Sequence, residues 1–535
     1  MKDPQTRKQI PLDSLLVVGL WYLLCLIGLL VILVLNDGKF IYTLDDPYIH
    51  LAVAEQIAGG HYGINSVEFS APCSSPIWPF LLAPLAGLSI GEYLPLVLNI
   101  VFGGLTAGIL LKRARTILPG STAGRVVICW AILAGCNALG IVFNGMEHSL
   151  QLLTAIVVVE GMVRITEGNP PGRWFWIAVI AGPLVRYENL ALSAVACGLL
   201  LFSGRPKSAV IAGAAALAGL AGFSLFLHGV GLPAIPSSIT AKSQFTRTGG
   251  IFSGIWLTLD SSLMGNRGTL LLLFTSALAV IGLAAGPKTP RGKAALLLAG
   301  AGFLHAIFGT YGWFNRYESY IYGATLFALF ALIPLAPSLV SPWRPVHSFA
   351  VILFALVISY PYLKALPQTP VAANNIYCQQ YQMHRFATGW WKRPVAVNDL
   401  GWVSYQNDQY VLDLWGLGSH VALQERLKGG GQSWSWAKDL AREKNVGLVM
   451  VYESWVPAKA LGWIKVGELQ LLGDCVSPAS PQVGIFATSP ELVPEIEGLL
   501  VDFRKTLPAG GARILTRTEA LAARNQNAPS PTQHE

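Results

Sequence analysis

The stretch TLDDPYIHLAVAEQIAGGHYGINSVEFSAPCSSPIW, residues 43–78, is the longest polar interruption in the first two thirds of a chain otherwise filled with apolar runs. Two adjacent carboxylates, Asp45 and Asp46, follow a long apolar segment and precede residues whose apolar positions repeat at helical spacing. Such a pair belongs at a membrane–water boundary, where charge is either solvated or put to chemical use. The competing reading is structural: one Asp caps the following helix, with Pro47 in its first turn. A cap needs only one Asp.

Outward from that stretch the composition sets the class. The 535 residues are 53% hydrophobic and 12% charged, with mean hydropathy +0.51, against roughly 25% charged in soluble domains. A mostly α-helical polytopic membrane protein is expected. The net charge of +8 lies in short clusters between apolar runs, so it reports topology and not nucleic-acid binding. Seven cysteines show no CxxC, and Cys25, Cys129, Cys136 and Cys197 fall inside apolar segments, which argues against a thiolate metal site. The first apolar run, Leu15 to Leu35, exceeds a signal-peptide core and reads as a retained span.

At about 20 apolar residues per crossing, about eleven transmembrane helices fit residues 1–365. They lie near 15–35, 93–111, 126–143, 149–164, 174–186, 190–203, 208–229, 270–286, 294–311, 318–336 and 347–365. With a cytoplasmic N-terminus, the Lys and Arg clusters fall into cytoplasmic loops throughout. That register requires residues 76–90 to lie along the outer interface, which makes 36–92 the first outer loop. Glu160 and Arg164, four apart at a cytoplasmic helix end, read as a structural pair.

Beyond 366 charged residues become frequent. Residues 366–523 read as a C-terminal extracytoplasmic α/β domain, with strands near 394–398, 402–406, 410–414, 446–452 and 483–488 and helices near 434–444 and 490–506. Cys378 and Cys475 could pair there in an oxidising compartment. Residues 524–535 read as a disordered tail.

The outer loops collect polar residues on one face: Asp45 and Asp46; Glu147 and His148; Arg186 and Glu188; the 230–268 loop with Lys242; and Asn315, Arg316 and Tyr317. Arg186 and Glu188 are either a self-satisfied ion pair at a turn or functional groups facing a cavity. No Walker A, GxGxxG, HExxH or GxSxG motif is present. An outward-facing site has no access to cytoplasmic nucleotides, so group transfer there needs a donor delivered in the membrane. A sugar on a lipid phosphate meets that need. One Asp of the pair would take the proton from an acceptor hydroxyl, and Arg186, Lys242 and Arg316 are candidates for the departing phosphate. The second carboxylate could tune the first or help hold a divalent cation, with Glu147 and His148 completing a set of Asp46, Glu147 and His148. Hard cations prefer oxygen-rich sets, so no cofactor is assigned.

These residues resemble a family. The first outer loop is similar to that of GT-C superfamily glycosyltransferases, multispanning enzymes that take sugars from polyprenyl phosphates, and within them to actinobacterial arabinofuranosyltransferase-like proteins. The matches are Asp45, Asp46, Tyr48 and Ile49, then Gly60, Gly63 and Asn65, then Ser75, Pro76, Ile77 and Trp78. Further matches keep the order along nearly the whole chain: Gly145 to Glu147, Arg186 and Glu188, Pro236, Ser238, Ala241 and Lys242, Arg316 and Tyr317, and in the outer domain Asn398, Asp399, Gly401, Asp413 and Gly416. The resemblance implies a GT-C fold, a plasma-membrane location, a role in building the cell envelope, and an Asp of the first outer loop as base. That role goes to Asp45 with Asp46 as its partner, or the reverse. It further implies a polyprenyl-phosphate sugar donor and an extracytoplasmic glycan, lipid or protein acceptor, with Glu147, Tyr48, Asn65, Glu188 and Tyr317 among the substrate contacts. The chain departs from the family pattern at Pro47 and at SAPCSSP before Trp78, where acceptor recognition would differ. A transporter or flippase of lipid-linked glycans is the alternative; it would be expected to show repeat symmetry and broken helices at the midplane.

Overall fold

The computed structural model describes residues 10–242, 251–312, 314–333, 357, 359–428 and 433–519. Among the described residues, five helices are long and apolar enough to cross a membrane: Leu12–Leu35, Gly91–Ile117, His148–Thr166, Pro206–Gly229 and Asn266–Ala284. Four shorter apolar helices, Thr122–Gly135, Arg173–Val185, Asn189–Phe202 and Ser319–Leu332, fill the bundle between them. Side chains such as Val34, Ile211, Leu225 and Val280 point outward and are exposed, as a lipid-facing surface requires. Inward, Trp21 is fully buried and donates its indole N–H to the Ile100 carbonyl at 3.1 Å. A Cβ at Gly103 would lie 2.0 Å from that indole, so glycine is what lets these two helices close.

Ten of the eleven expected spans coincide with helices, and the expected span 347–365 lies largely outside the described residues. Several expectations need correction. The run 126–143 is two helices, Thr122–Gly135 and Ala138–Val142, broken where Asn137 takes a left-handed φ of 55°, a conformation Asn adopts at little cost. The 230–268 loop contains a helix, Ile251–Met264. Glu160 pairs not with Arg164 but with Arg113, through bonds of 2.8 and 2.9 Å, while Arg164 bonds the Pro170 carbonyl. Where 76–90 was expected not to cross, the structure agrees: residues 78–86 form a helix of nine residues, roughly 14 Å long and unable to cross a core of about 30 Å.

The C-terminal part is built on a six-stranded sheet in the order β2-β1-β3-β5-β4-β6. The strands are β1 Val395–Val397, β2 Val411–Asp413, β3 Leu448–Val451, β4 Ile464–Leu471, β5 Gln482–Ala487 and β6 Ala512–Thr516. β2, β1 and β3 are parallel, and the rest are antiparallel. β1 to β3 are fully buried three- and four-residue runs, the pattern of parallel strands covered on both faces. The expected strand 402–406 is instead a helical turn, Gly401–Ser404, and β4 and β6 were not foreseen. Cys378 and Cys475 are free thiols.

The chain leaves β1 toward β2 on one side, and β3 then lies on the other. The carboxyl end of β1 is therefore a topological switch point, the place where open α/β sheets form ligand crevices. Against that end packs the first outer loop of the helical part. Tyr48 stacks on Trp402 at 4.0 Å between ring centroids. Asn65 pairs with the edge of β2 like a piece of backbone, donating to the Val411 carbonyl at 3.0 Å and accepting its N–H at 2.9 Å.

Candidate active site

Asp45 stands at the N-cap position of the Asp46–Ala58 helix, yet its side chain makes no capping bond. It reaches across to the turn after β1: Oδ2 accepts the Gly401 N–H at 2.6 Å and Oδ1 the Trp402 N–H at 2.8 Å. The capping reading of Asp45 therefore fails, because two backbone donors of the α/β domain outcompete the helix's own. Gly401 is needed for this approach, since a Cβ there would sit 2.0 Å from the Asp45 carbonyl oxygen. Burial raises the Asp45 carboxyl well above the usual carboxylate range, and the nearby charge of Asp399 adds to the effect, against the lowering by the two amides.

Asp399 is the second acid of this centre. Its Oδ2 accepts from Gln380 Nε2 at 2.8 Å and from the Tyr452 hydroxyl at 3.1 Å, and it lines the same cavity as Asp45. It too is raised, chiefly by burial.

Asp46 turns the other way, to Arg316. The Arg316 Nη2 donates to Asp46 Oδ2 at 2.7 Å and to the Tyr317 hydroxyl at 3.2 Å. The turn that carries it has Phe314 and Asn315 both at left-handed φ, 61° and 58°, and the amide of Asn137 pins the Asn315 carbonyl at 3.0 Å. The break in the expected span 126–143 thus serves the Arg316 turn. Burial works against the guanidinium charge, but Tyr317 and Asp46 hold it above its ordinary proton affinity. Arg316 is 1% exposed, and its Nε and Nη1 find no hydrogen-bond partner among the described residues. The same is true of both ring nitrogens of His148 and both amide atoms of Gln151, one helical turn apart. Native proteins leave few buried polar atoms unpaired, so so many unpaired atoms, with the His148 ring 6.2 Å from that of Tyr317, point to a polar occupant.

Arg186 is already satisfied by carboxylates: Nη1 donates to Glu147 at 2.7 Å and Nη2 to Glu188 at 2.7 Å, with a further contact to Ser74 at 3.3 Å. Glu147 is fully buried, and its second oxygen lies 3.9 Å from His50. Among the described residues no group of three His, Cys, Asp or Glu side chains is placed to hold a metal ion, so Asp46, Glu147 and His148 do not form one ligand set. Lys242 ends the helix Ser237–Lys242, and its side chain lies outside the described residues. Tyr48 and Asn65 are spent on the domain boundary. Sequence reasoning missed Asp399 as a site residue although its turn, NDLGW, was quoted for the resemblance; the strand-end position of an acid beside a glycine was the available signal. Gln380 and Gln151 gave no signal.

A cavity of about 300 Å³ opens beside both acids of the first loop. Asp45, Asp46 and Tyr317 line it from the helical side, and Asp399, Trp415 and Trp455, at or just beyond the carboxyl ends of β1, β2 and β3, line it from the other.

The fold and site thus define a helical protein with membrane-length apolar helices and a buried acid–arginine centre closed by an α/β domain. Residues 374–486 match a family model described as a domain of unknown function, DUF8728. No curated protein matches the chain. Among solved structures, the crystal structure of ArnT from Cupriavidus metallidurans bound to undecaprenyl phosphate overlaps with a TM-score of 0.45 at 12% identity, over 89% of this chain and 99% of that one. The cryo-EM structure of the arabinofuranosyltransferase AftD from mycobacteria overlaps with a TM-score of 0.40 at 16% identity, over 88% of this chain and 40% of that one. The functional reading rests on the residues of the site.

Proposed function

We propose that this chain is a GT-C-type membrane glycosyltransferase that moves a sugar from a polyprenyl-phosphate donor to an extracytoplasmic acceptor. The observation that carries the reading is Arg316: a buried cation with two nitrogens unpartnered among the described residues, fixed by Asp46 and Tyr317, which both line the cavity that the buried acid Asp45 lines. A phosphate offers acceptors for the guanidinium fork, and a buried carboxylate of raised proton affinity suits a general base. In the reaction Asp45 takes the proton of the acceptor hydroxyl as that oxygen bonds the anomeric carbon. The bond from the anomeric carbon to phosphate oxygen breaks, and its electron pair leaves with the lipid phosphate, whose charge Arg316 stabilises. Arg186 holds Glu147 and Glu188 in place beneath Tyr317, and its own charge is largely spent there. On this reading the N-terminus is cytoplasmic and residues 366–523 form an extracytoplasmic domain at the plasma membrane.

The test is transfer or donor hydrolysis by purified protein in nanodiscs, offered several polyprenyl-phosphate sugars with and without chelator. Asp45→Asn should lower turnover by about 10²- to 10⁴-fold, the usual worth of a general base, and Arg316→Ala should raise the donor KM as well as lower kcat. Full turnover by Asp45→Asn would remove the base. No turnover with any donor, together with movement of lipid-linked sugar across vesicles, would replace the enzyme by a transporter.

A further inference from the structure

We propose that the cavity at the carboxyl ends of β1 to β3 is an acceptor subsite for a neutral sugar, taken up against Trp415 and Trp455 and read at a hydroxyl group by Gln380 and Asn398. The inference rests on the reading of the chain as a sugar transferase and names the class of its acceptor.

Two buried amides carry it. Gln380 is 0% and Asn398 4% exposed, and both line the cavity of about 300 Å³. The Asn398 Oδ1 accepts the Tyr452 N–H at 2.7 Å, which leaves Nδ2 without a partner among the described residues. Gln380 is oriented the other way: Nε2 donates to Asp399 Oδ2 at 2.8 Å and to the Tyr452 hydroxyl at 2.9 Å, and Oε1 has no partner among the described residues. Tyr452 thus fixes both amides, one through its backbone and one through its hydroxyl. One buried donor and one buried acceptor stay open, where native proteins leave few such atoms.

A hydroxyl group donates and accepts, so it satisfies both. A phosphate only accepts and would turn its charge on Gln380 Oε1, and a hydrocarbon chain would satisfy neither amide. Charge points the same way. Asp45, Asp46 and Asp399 line the cavity, and no Lys, Arg or His is among the described residues that do, so an anionic acceptor would meet like charge there.

The rest of the wall is aromatic. The rings of Trp415 and Trp455 pack at 4.6 Å between centroids, tilted by 38°. Trp415 is held in place: the Arg426 guanidinium lies 4.0 Å over its ring, Arg426 Nε donates to its carbonyl at 3.0 Å, and Asp413 accepts its N–H at 2.8 Å. Trp455 packs edge-on with Tyr452 at 5.7 Å. An indole face is negative, and the C–H face of a sugar ring is apolar and weakly positive, so the two fit. A serine or threonine hydroxyl would satisfy the amides but bring no ring for the indoles.

The test begins with binding, which needs no turnover. Full-length protein in nanodiscs is titrated with neutral hexose and pentose oligosaccharides, with hexuronic acid counterparts, and with a peptide containing serine and threonine. A neutral oligosaccharide should bind, and its uronic acid counterpart should bind about tenfold more weakly or worse at low salt, the gap narrowing as salt is added. Trp455→Ala should weaken the neutral ligand about 10- to 100-fold, as loss of an aromatic anchor does, and Trp455→Phe should recover most of that. Asn398→Asp, which keeps an oxygen for Tyr452 and replaces the open donor by an acceptor, should weaken it about tenfold or more. Trp436→Ala, from a pair with Trp434 that does not line the cavity, should bind as the wild type does. Should the variants misfold, the wild type's preference for neutral over anionic sugar still decides. Equal binding of the two forms, binding of the peptide alone, or no oligosaccharide bound at millimolar concentration overturns the subsite, the last leaving a cavity for water only. Glycan binding without turnover of any polyprenyl-phosphate sugar would keep the subsite and retire the transfer reading; transfer to a lipid or peptide without glycan binding would do the reverse.

Discussion

Gly401→Ala tests how the two parts of the protein are joined. The new Cβ would lie 2.0 Å from the Asp45 carbonyl oxygen and 2.7 Å from Oδ2 of its carboxylate. Carbon–oxygen contacts of side chains do not close below 3.0 Å, so the turn must retreat by at least 3.0 − 2.0 = 1.0 Å. The obstacle is backbone, and no flexible side-chain end can swing aside. A retreat of that size takes the Gly401 N–H bond from 2.6 Å to beyond hydrogen-bonding distance, and the Trp402 bond with it. Hydrogen bonds to a charged group contribute about 1.5–3 kcal/mol each, so losing both costs about 3–6 kcal/mol of docking free energy. A displacement of about 1 Å at a catalytic group also lowers turnover by about 10²-fold. Hydrogen exchange at residues 400–405, read with thermal unfolding followed by tryptophan fluorescence, measures the first effect, and the transfer assay measures the second. Gly389→Ala is the control, since nothing lies within 4 Å of its Cβ. Unchanged protection and unchanged melting in Gly401→Ala would refute the clamp on Asp45.

The remaining predictions concern the same boundary. Asn65→Ala should leave the Val411 N–H and carbonyl unpaired at the edge of β2, at about 1–3 kcal/mol for each group, with a lower melting temperature and an unchanged substrate KM; a raised KM at unchanged stability would make Asn65 a substrate contact instead. Asp413, whose carboxyl burial lifts to about 6 against the lowering by the amides of Gly418 and Trp415, binds its proton more tightly folded than unfolded. Its contribution therefore declines as pH rises from about 4 through 6. Asp413→Asn should flatten the dependence of melting temperature on pH over that interval while lowering stability throughout, because an amide cannot accept both N–H bonds; an unflattened slope would locate the titration elsewhere.

Much of the architecture was legible because it depends on composition over long windows. Apolar runs marked most of the helices, and the rise in charged residues beyond 366 precedes the sheet, whose first strand is Val395–Val397. What escaped was short or long-range. The turn 401–404 reads as a strand in sequence, since Trp402, Val403 and Tyr405 favour extended backbone, but Asp45 captures its first two amides and tertiary contact overrides propensity. β4 and β6 were missed because half-buried antiparallel strands alternate in polarity and mix with their surroundings. In the site, Asp45, Asp46 and Arg316 were visible as charges placed at the ends of apolar runs. The Arg186–Glu147 pair joins residues 39 apart and the Trp402 amide reaches Asp45 across 357, and no local pattern encodes such partners. Glu147 and His148 looked like ligands side by side; folded, one carboxylate is consumed by Arg186 and the imidazole is left without a bond.

That division explains how one helical scaffold can be paired with a soluble domain without surrendering its chemistry. The helical part provides a carboxyl, Asp45, that is poorly solvated and an arginine, Arg316, with donors unused among the described residues, each held in a strained or buried setting that would be costly without compensation. Breaking the Asp46–Arg316 pair from one side would strand a buried charge at about 3–5 kcal/mol, so neither partner drifts. The α/β domain compensates the Asp45 carboxyl: the amides of Gly401 and Trp402 aim both of its oxygens. Because the aiming groups are backbone N–H donors, their placement depends on the path of the chain at 400–402 and hardly on side-chain identity, with Gly401 the exception that sterics impose. The cavity walls contributed by Trp415 and Trp455 are side chains packed on each other at 4.6 Å between ring centroids, and on the proposed reading they meet the acceptor. Substituting Trp455 should therefore alter acceptor KM while leaving donor hydrolysis in the absence of acceptor intact, whereas Gly401→Ala should lower both transfer and hydrolysis.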